Sequence, residues 1–219
     1  MGLLGYFAKH ARARKTKMLE VKSLTKRFGG LIAVSEVDLD VAKGEIVSLI
    51  GPNGAGKTTL FAIIAGFLKP NEGEVILNNT SITNLKPHKI CKQGMVRTFQ
   101  ITQPFATLNT LENIMIGAYA NTSNKSLAKS NAERVAEIVG MTSLLYQTAD
   151  GLTVAARKRL ELARALATDP QLLLLDEVMA GLNPTEIDEI VAVIKGIRDT
   201  GVTIFLIEHV MKAVVNLSD

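Results

Sequence analysis

The chain has 219 residues and a mass of 23.6 kDa, with 47% hydrophobic and 21% charged residues. That fits one domain, with or without an inserted subdomain, and excludes a disordered tail or a fibrous repeat. The formal charge of +4 points toward nucleic acid only until it is located: Lys9, Arg12, Arg14, Lys15 and Lys17 fall in residues 1–18 without any acid, leaving 20 basic against 21 acidic groups in a near-neutral body.

Residues 1–18 put their apolar residues before their charges and offer no small-residue cleavage site, the wrong order for a secretory signal. Tyr6 stands where myristoylation of Gly2 wants Ser or Thr. Leu3, Leu4, Phe7, Ala8 and Ala11 share one helical face, with Lys9, Arg12 and Lys15 around the turn. This basic leader is therefore either an amphipathic segment for anionic lipid or a solvated extension, and the second reading is preferred. Next, Leu19-Glu20-Val21-Lys22 and Val37-Asp38-Leu39-Asp40-Val41 alternate as strands, with a turn at residues 42–45. Ile46-Val47-Ser48-Leu49-Ile50 is a mostly apolar run that suits a strand buried on both faces.

Residues 58–68 read as a helix closed by Lys69-Pro70, and 74–77 as a short strand. The longest apolar run, residues 60–68, is far short of the roughly 20 residues that a membrane span requires. Cys91 has no second cysteine with which to form a disulfide or a zinc site, so it reads as an ordinary packed or partly exposed thiol in a reducing compartment. Residues 108–120, 132–139 and 157–167 carry helical periodicity, and the polar stretch 121–130 reads as a surface loop. Residues 171–175 read as a buried strand, 185–198 as a helix and 202–207 as a strand. Strands alternating with helices predict an α/β fold with a mainly parallel sheet, interrupted by a helical insert over about residues 95–165. The chain is expected to be soluble and cytoplasmic unless a partner holds it to a membrane.

Gly51-Pro52-Asn53-Gly54-Ala55-Gly56-Lys57-Thr58 matches G-x-x-x-x-G-K-[ST], with a buried strand before it and a helix after it. Glycines let backbone N–H groups turn inward around phosphate oxygens, and the helix N-terminus adds positive partial charge. Lys57 is suited to reach the β- and γ-phosphates and Thr58 to ligate Mg²⁺. The candidate nucleotide contacts are thus Asn53, Gly54, Ala55, Gly56, Lys57, Thr58 and Thr59. Downstream, Leu172-Leu173-Leu174-Leu175 runs into Asp176-Glu177. Two carboxylates at the end of an apolar strand are costly unless they serve a cation or a proton. Asp176 is the candidate Mg²⁺ holder, directly or through water, and Glu177 the general base on the attacking water.

These two motifs, their order and the helical insert resemble the ATPase subunit of an ABC transporter over residues 19–219. The resemblance implies a P-loop NTPase fold with a mainly parallel core sheet, a small antiparallel β subdomain and an inserted helical subdomain. It implies that Phe28 stacks on adenine, a core aromatic being the alternative. It implies that Gln100 contacts Mg²⁺ or water, with Gln103 as its competitor, and that His209 is the switch histidine near the γ-phosphate. His10 and His88 lack such a context and read as surface residues. The strings Gly30-Leu31-Ile32-Ala33-Val34, Val96-Arg97-Thr98-Phe99-Gln100, Thr110-Leu111-Glu112-Asn113, residues 159–166 and Ala180-Gly181-Leu182-Asn183-Pro184 are similar to branched-chain amino acid importer ATPases.

The pattern also departs from the family. Its Leu-Ser-Gly-Gly-Gln signature, which clamps the γ-phosphate on the opposing protomer, is here Leu152-Thr153-Val154-Ala155-Ala156. Val154 and Ala155 add Cβ atoms where a backbone N–H approaches closely, which weakens the clamp. Asn183 replaces the Asp of the following loop. The chain ends at Asp219, shortly after the switch histidine, where the family continues with a further strand, turn and helix, so the C-terminus is expected to be truncated or variant.

Three activities fit. The favoured one is an ATP-hydrolysing engine of a membrane importer for branched-chain or other amino acids. It would sit on the cytoplasmic face beside permease subunits and a second, different ATPase chain, served indirectly by a solute-binding protein. The alternative is a hydrolysis-weak gating subunit paired with an active one. The third, a soluble ABC protein acting on DNA or the ribosome, is disfavoured because neither a second cassette nor a long coiled coil is present, and no nucleic-acid partner is expected.

Overall fold

The computed structural model of the chain describes residues 16–98 and 104–217, together with the backbone of residues 5–7. In chain order the elements are β1 (Gly5–Phe7), β2 (Lys17–Phe28), β3 (Leu31–Ala42), β4 (Ile46–Ile50), α1 (Lys57–Ile64), β5 (Glu72–Leu77), β6 (Thr80–Ser81), α2 (Pro87–Cys91) and β7 (Met95–Arg97). They continue with α3 (Thr110–Ala118), α4 (Lys125–Ile138), α5 (Val154–Leu166), β8 (Leu172–Asp176), α6 (Pro184–Asp199), β9 (Thr203–Ile207) and α7 (Met211–Leu217).

Two sheets result. One has the order β1-β4-β9-β8-β7, the other β3-β2-β5-β6. In the first, β4, β9, β8 and β7 are parallel and β1 is antiparallel to β4. The second is antiparallel throughout. The apolar runs explain the parallel sheet. Along β8 and β9 the residues alternate between two cores: Leu173, Leu175, Ile204 and Leu206 pack with the helices α3–α6. Leu172, Leu174, Phe205 and Ile207 pack with α1 and the antiparallel sheet. A strand buried on both faces needs apolar residues at every position, which is why these segments read as continuous runs rather than alternating ones. The tilted ring pair Phe61–Phe205, with centroids 4.8 Å apart, fastens α1 to β9.

Three expectations are corrected. The helical face read across the leader is not formed at residues 5–7, where the backbone is extended and pairs Gly5 with Ile50 and Phe7 with Ser48. Without that strand β4 would present unpaired N–H and C=O groups at a sheet edge. The rest of the leader up to residue 15 lies outside the described residues, and β2 already begins at Lys17. The loop read over residues 121–130 is confined to 121–124, because Asn124 accepts hydrogen bonds from the N–H groups of Ser126 and Leu127 and starts α4 there. The face α4 buries is Ala128, Ala132, Val135 and Ala136, and three small alanines give little hydrophobic signal within a polar sequence. Finally, the helical insert read over about residues 95–165 does not begin at 95, because Met95–Arg97 is strand β7 of the parallel sheet; it is too short for periodicity to reveal, as are α2 and α7.

Three helices, α3 to α5, fill the space between β7 and β8 in sequence. They pack closely because Gly117 has no side chain: a Cβ there would stand 2.2 Å from the Arg164 carbonyl oxygen on α5. At the start of α3, buried Asn113 accepts from the Phe105 N–H and donates to the carbonyls of Phe105, Leu108 and Asn109, so residues 105–109 are tied to the helix.

Truncating Phe61, which is fully buried against Phe205, is expected to destabilise the fold by about 3–5 kcal/mol. Guanidinium unfolding of Phe61→Ala, compared with the parent chain, measures it.

Candidate functional site

The parallel strands β4, β9 and β8 are neighbours in that order, so the loops at their C-terminal ends share one edge of the sheet. Open α/β sheets bind ligands at this edge. After β4 come residues 51–56 and α1, after β8 comes Glu177, and after β9 come Glu208 and His209.

In the first loop, Gly54 and Gly56 have φ of 80° and 91°, the left-handed region that glycine adopts without strain. A Cβ on Gly56 would stand 2.2 Å from the Ala33 carbonyl oxygen of β3. Gly56 therefore lets the antiparallel sheet press against the loop, and a side chain there would push them apart. Lys57 is buried, and its ammonium donates to the carbonyls of Gly51 (2.8 Å) and Pro52 (2.9 Å), which aims the charge across the loop. Asn53, Gly54 and Thr58 are exposed, while Ala55, Gly56 and Thr59 are half-buried. A concave backbone with one cation across it and a helix N-terminus behind it is an anion cradle.

Phe28 ends β2 at the tip of the β2–β3 hairpin and is 46% exposed, which overturns the core alternative for this residue. Its ring lies 5.1 Å from Lys26 Nζ, and Leu31 and Ile32 beside it are exposed as well. The ring is thus a face available for stacking.

Asp176 is buried and accepts from Arg97 Nη2 at 2.6 Å. Arg97 ends β7, alongside Leu174 of β8, and also lies over the Phe67 ring. Sequence reasoning missed this pair, because the partners are 79 residues apart and β7 gave no strand signal. Glu177 has φ of 50°, unusual for a residue with a side chain, and its N–H donates to the Ile207 carbonyl at 3.0 Å. Its carboxylate Oε1 meets His209 Nε2 at 2.9 Å, so the two residues singled out from separate motifs touch. Gln100 and its competitor Gln103 lie outside the described residues. Thr98, two positions before Gln100, is held against β8 by its N–H to the Leu174 carbonyl at 2.9 Å.

Glu208 was also missed. It is 2% exposed and accepts from the Met179 N–H at 3.0 Å. Burial raises its carboxyl above the usual carboxylate range, the backbone N–H groups of Met179 and His209 oppose that, and the Glu177 charge adds to it. The available signal was an acid at the end of the apolar run Ile204-Phe205-Leu206-Ile207, the same signal that drew attention to Asp176.

The altered signature starts α5. Thr153 is the N-cap, its hydroxyl accepting from the Ala156 N–H at 3.2 Å. Val154 is 57% exposed there, while Ala155, expected to crowd the same approach, is buried. Asn183 caps α6: it accepts from the Glu186 N–H, and Glu186 accepts from the Asn183 N–H. His88 is exposed, and burial raises the thiol of the half-buried Cys91 above its ordinary value. His10 lies outside the described residues.

Residues 34–180 match the ABC transporter family. The high-affinity branched-chain amino acid transport ATP-binding protein BraF of Pseudomonas aeruginosa is 41% identical over 218 residues, covering 92% of this chain and 86% of that protein. LivG of Escherichia coli (strain K12), with the corresponding name, is 40% identical over 220 residues at the same coverage. Among solved structures, the ADP conformation of MJ1267, an ATP-binding cassette of an ABC transporter, superposes with a TM-score of 0.83 at 31% identity, covering 94% of this chain and 86% of that one. Kinship of this degree, along more than nine-tenths of a chain whose sheet edge carries the motifs it requires, is common descent: the protein belongs to the ABC transporter family, as one of its ATPase cassettes.

Proposed function

We propose that this chain binds and hydrolyses ATP to power a membrane importer of amino acids, with branched-chain amino acids as the solute class its relatives' names indicate. The observation that carries the chemical part is the 2.9 Å contact between Glu177 and His209, on loops that border the Lys57 loop. The loop residues 53–59 would hold the triphosphate through their N–H groups, Lys57 through its ammonium, and the exposed Phe28 ring would stack on adenine. Glu177, a carboxylate against an imidazole, is suited to accept the proton of the attacking water, and His209 to hold that carboxylate in place and to sense the γ-phosphate.

The donor set suits Mg²⁺. Thr58 offers an exposed hydroxyl and Asp176 one buried carboxylate, and no group of three acidic, histidine or cysteine side chains able to hold a metal is found among the described residues. An ion with so few protein ligands completes its shell with phosphate oxygens and water, which is the habit of Mg²⁺. When bound, it would neutralise charge on the phosphates. Gln100 is assigned the remaining contact, to the ion or its water.

No helix among the described residues is long and apolar enough to cross a membrane. Attachment to the cytoplasmic face therefore falls to permease subunits, which a solute-binding protein would supply. The ATPase domain is taken as residues 19–219, with residues 1–18 as a basic leader and the helical insert between β7, which ends at Arg97, and about residue 165. The partner ATPase subunit is a different chain: exposed Val154 at the start of α5 obstructs the clamp that this chain would offer, while its own Lys57 loop can be served by an intact signature opposite.

Lys57→Ala is expected to weaken ATP binding by about 10- to 100-fold, the value of one charge-assisted hydrogen-bonding group, measured by equilibrium titration with a fluorescent ATP analogue. Glu177→Gln should bind ATP like the parent and lose roughly 10²–10⁴ in turnover, read by phosphate release; retained turnover removes Glu177 from the chemistry. The purified chain alone should hydrolyse ATP weakly and gain activity on addition of a complementary ATPase subunit with an intact signature. Two equally active sites in a homodimer would refute the unequal pairing.

A further inference from the structure

Glu208 is a buried titratable group to which the roles above give no work. Its surroundings give it one. The β8–β9 ladder ends with the pair Asp176–Ile207 and the bond from the Glu177 N–H to the Ile207 carbonyl. Beyond that point no further ladder pair is formed, yet Glu177 and His209 meet at 2.9 Å. Glu177 begins its turn with a left-handed φ of 50°, a conformation that persists in a non-glycine residue only when its neighbours hold it. The Glu208 carboxylate supplies that hold. It belongs to the loop that carries His209, and it reaches across to accept from the N–H of Met179, two residues past Glu177 on the other loop, at 3.0 Å.

We propose that Glu208 is a positioning residue that clips the loop carrying Glu177 to the loop carrying His209 and so fixes their contact. This deepens the hydrolysis reading above and rests on it for its catalytic consequence. Placing a charged carboxylate here is costly, since burial raises its proton affinity. An amide of the same shape would avoid that cost but has one carbonyl oxygen and two N–H donors, so it cannot accept through both of its terminal atoms. A carboxylate presents an acceptor at either terminal atom, so it receives the Met179 N–H whichever way the group turns.

The test uses Glu208→Ala, Glu208→Gln and Glu208→Asp in the full chain. Two properties are measured: the kcat and KM for ATP, and the imidazole ¹H–¹⁵N signals of His209 without nucleotide. The chain has three histidines, so His209 is assigned by its loss in His209→Gln. Glu208→Ala is expected to lower kcat by roughly 10- to 100-fold, the scale of a misplaced reacting group, with little change in KM, and to shift the His209 signals. Glu208→Gln, keeping one acceptor, should recover part of both. Glu208→Asp keeps the charge but is shorter by one methylene, and should show an intermediate loss and a shifted His209 signal; it carries the test if the alanine variant does not fold. His209 signals that match the parent in the folded variants overturn the proposal, as does a parent-like kcat in them. Because those signals are read without nucleotide, a parent chain that fails to hydrolyse ATP would count against the hydrolysis reading alone and leave the clip to be judged by the spectra.

Discussion

The parallel pairing of β9 between β4 and β8 is the constraint on which the rest of the molecule depends. Each strand is only five residues long, and each carries almost nothing but apolar side chains. Such strands are stable only when covered on both faces, so α1 and the antiparallel sheet must lie on one side and the helices on the other. That burial fixes the register, and the register brings three loops to a common edge. The cradle around Lys57, the Asp176–Glu177 step and the Glu208–His209 step are neighbours because their strands are.

Charge at that edge is held in pairs. Lys57 rests on carbonyls, Asp176 on Arg97, Glu177 on His209 and Glu208 on the Met179 N–H. Buried and half-buried charges need partners of this kind, since an unpaired one would neutralise or unfold its surroundings. Among the described residues the charges at that edge are thus partnered within the chain itself, and groups fixed in advance reduce what a reaction beside them must rearrange.

Much of this was legible in the sequence, and the reasons are specific. The glycines and lysine of residues 51–58 have one use at that spacing, and Asp176-Glu177 betrayed itself by following four leucines. Pairings across long separations were not legible. Arg97 meets Asp176 through a three-residue strand too short to show a pattern. Glu208 stands out as an acid after an apolar run, but its partner Met179 is 29 residues away and nothing local points to it. The start of α4 was hidden by its own small residues, because alanine fills a tight helix contact without looking hydrophobic. Conversely Asn183, noticed as a missing charge, has an ordinary local task as a helix cap. Sequence gave the chemistry of single loops, and structure was needed to join one loop to another.

The alternation of side chains along β8 and β9 has a mechanical consequence. Leu173 and Leu174 are adjacent in the chain, yet the first belongs to the helical side of the molecule and the second to the side of the antiparallel sheet. The sheet is thus a shared wall between two compartments that are packed separately. A void opened at Leu173 slackens the helices on one side, and a void opened at Leu174 slackens the seat of the cradle on the other. Softness in this molecule has an address, and one peptide bond decides which compartment receives it.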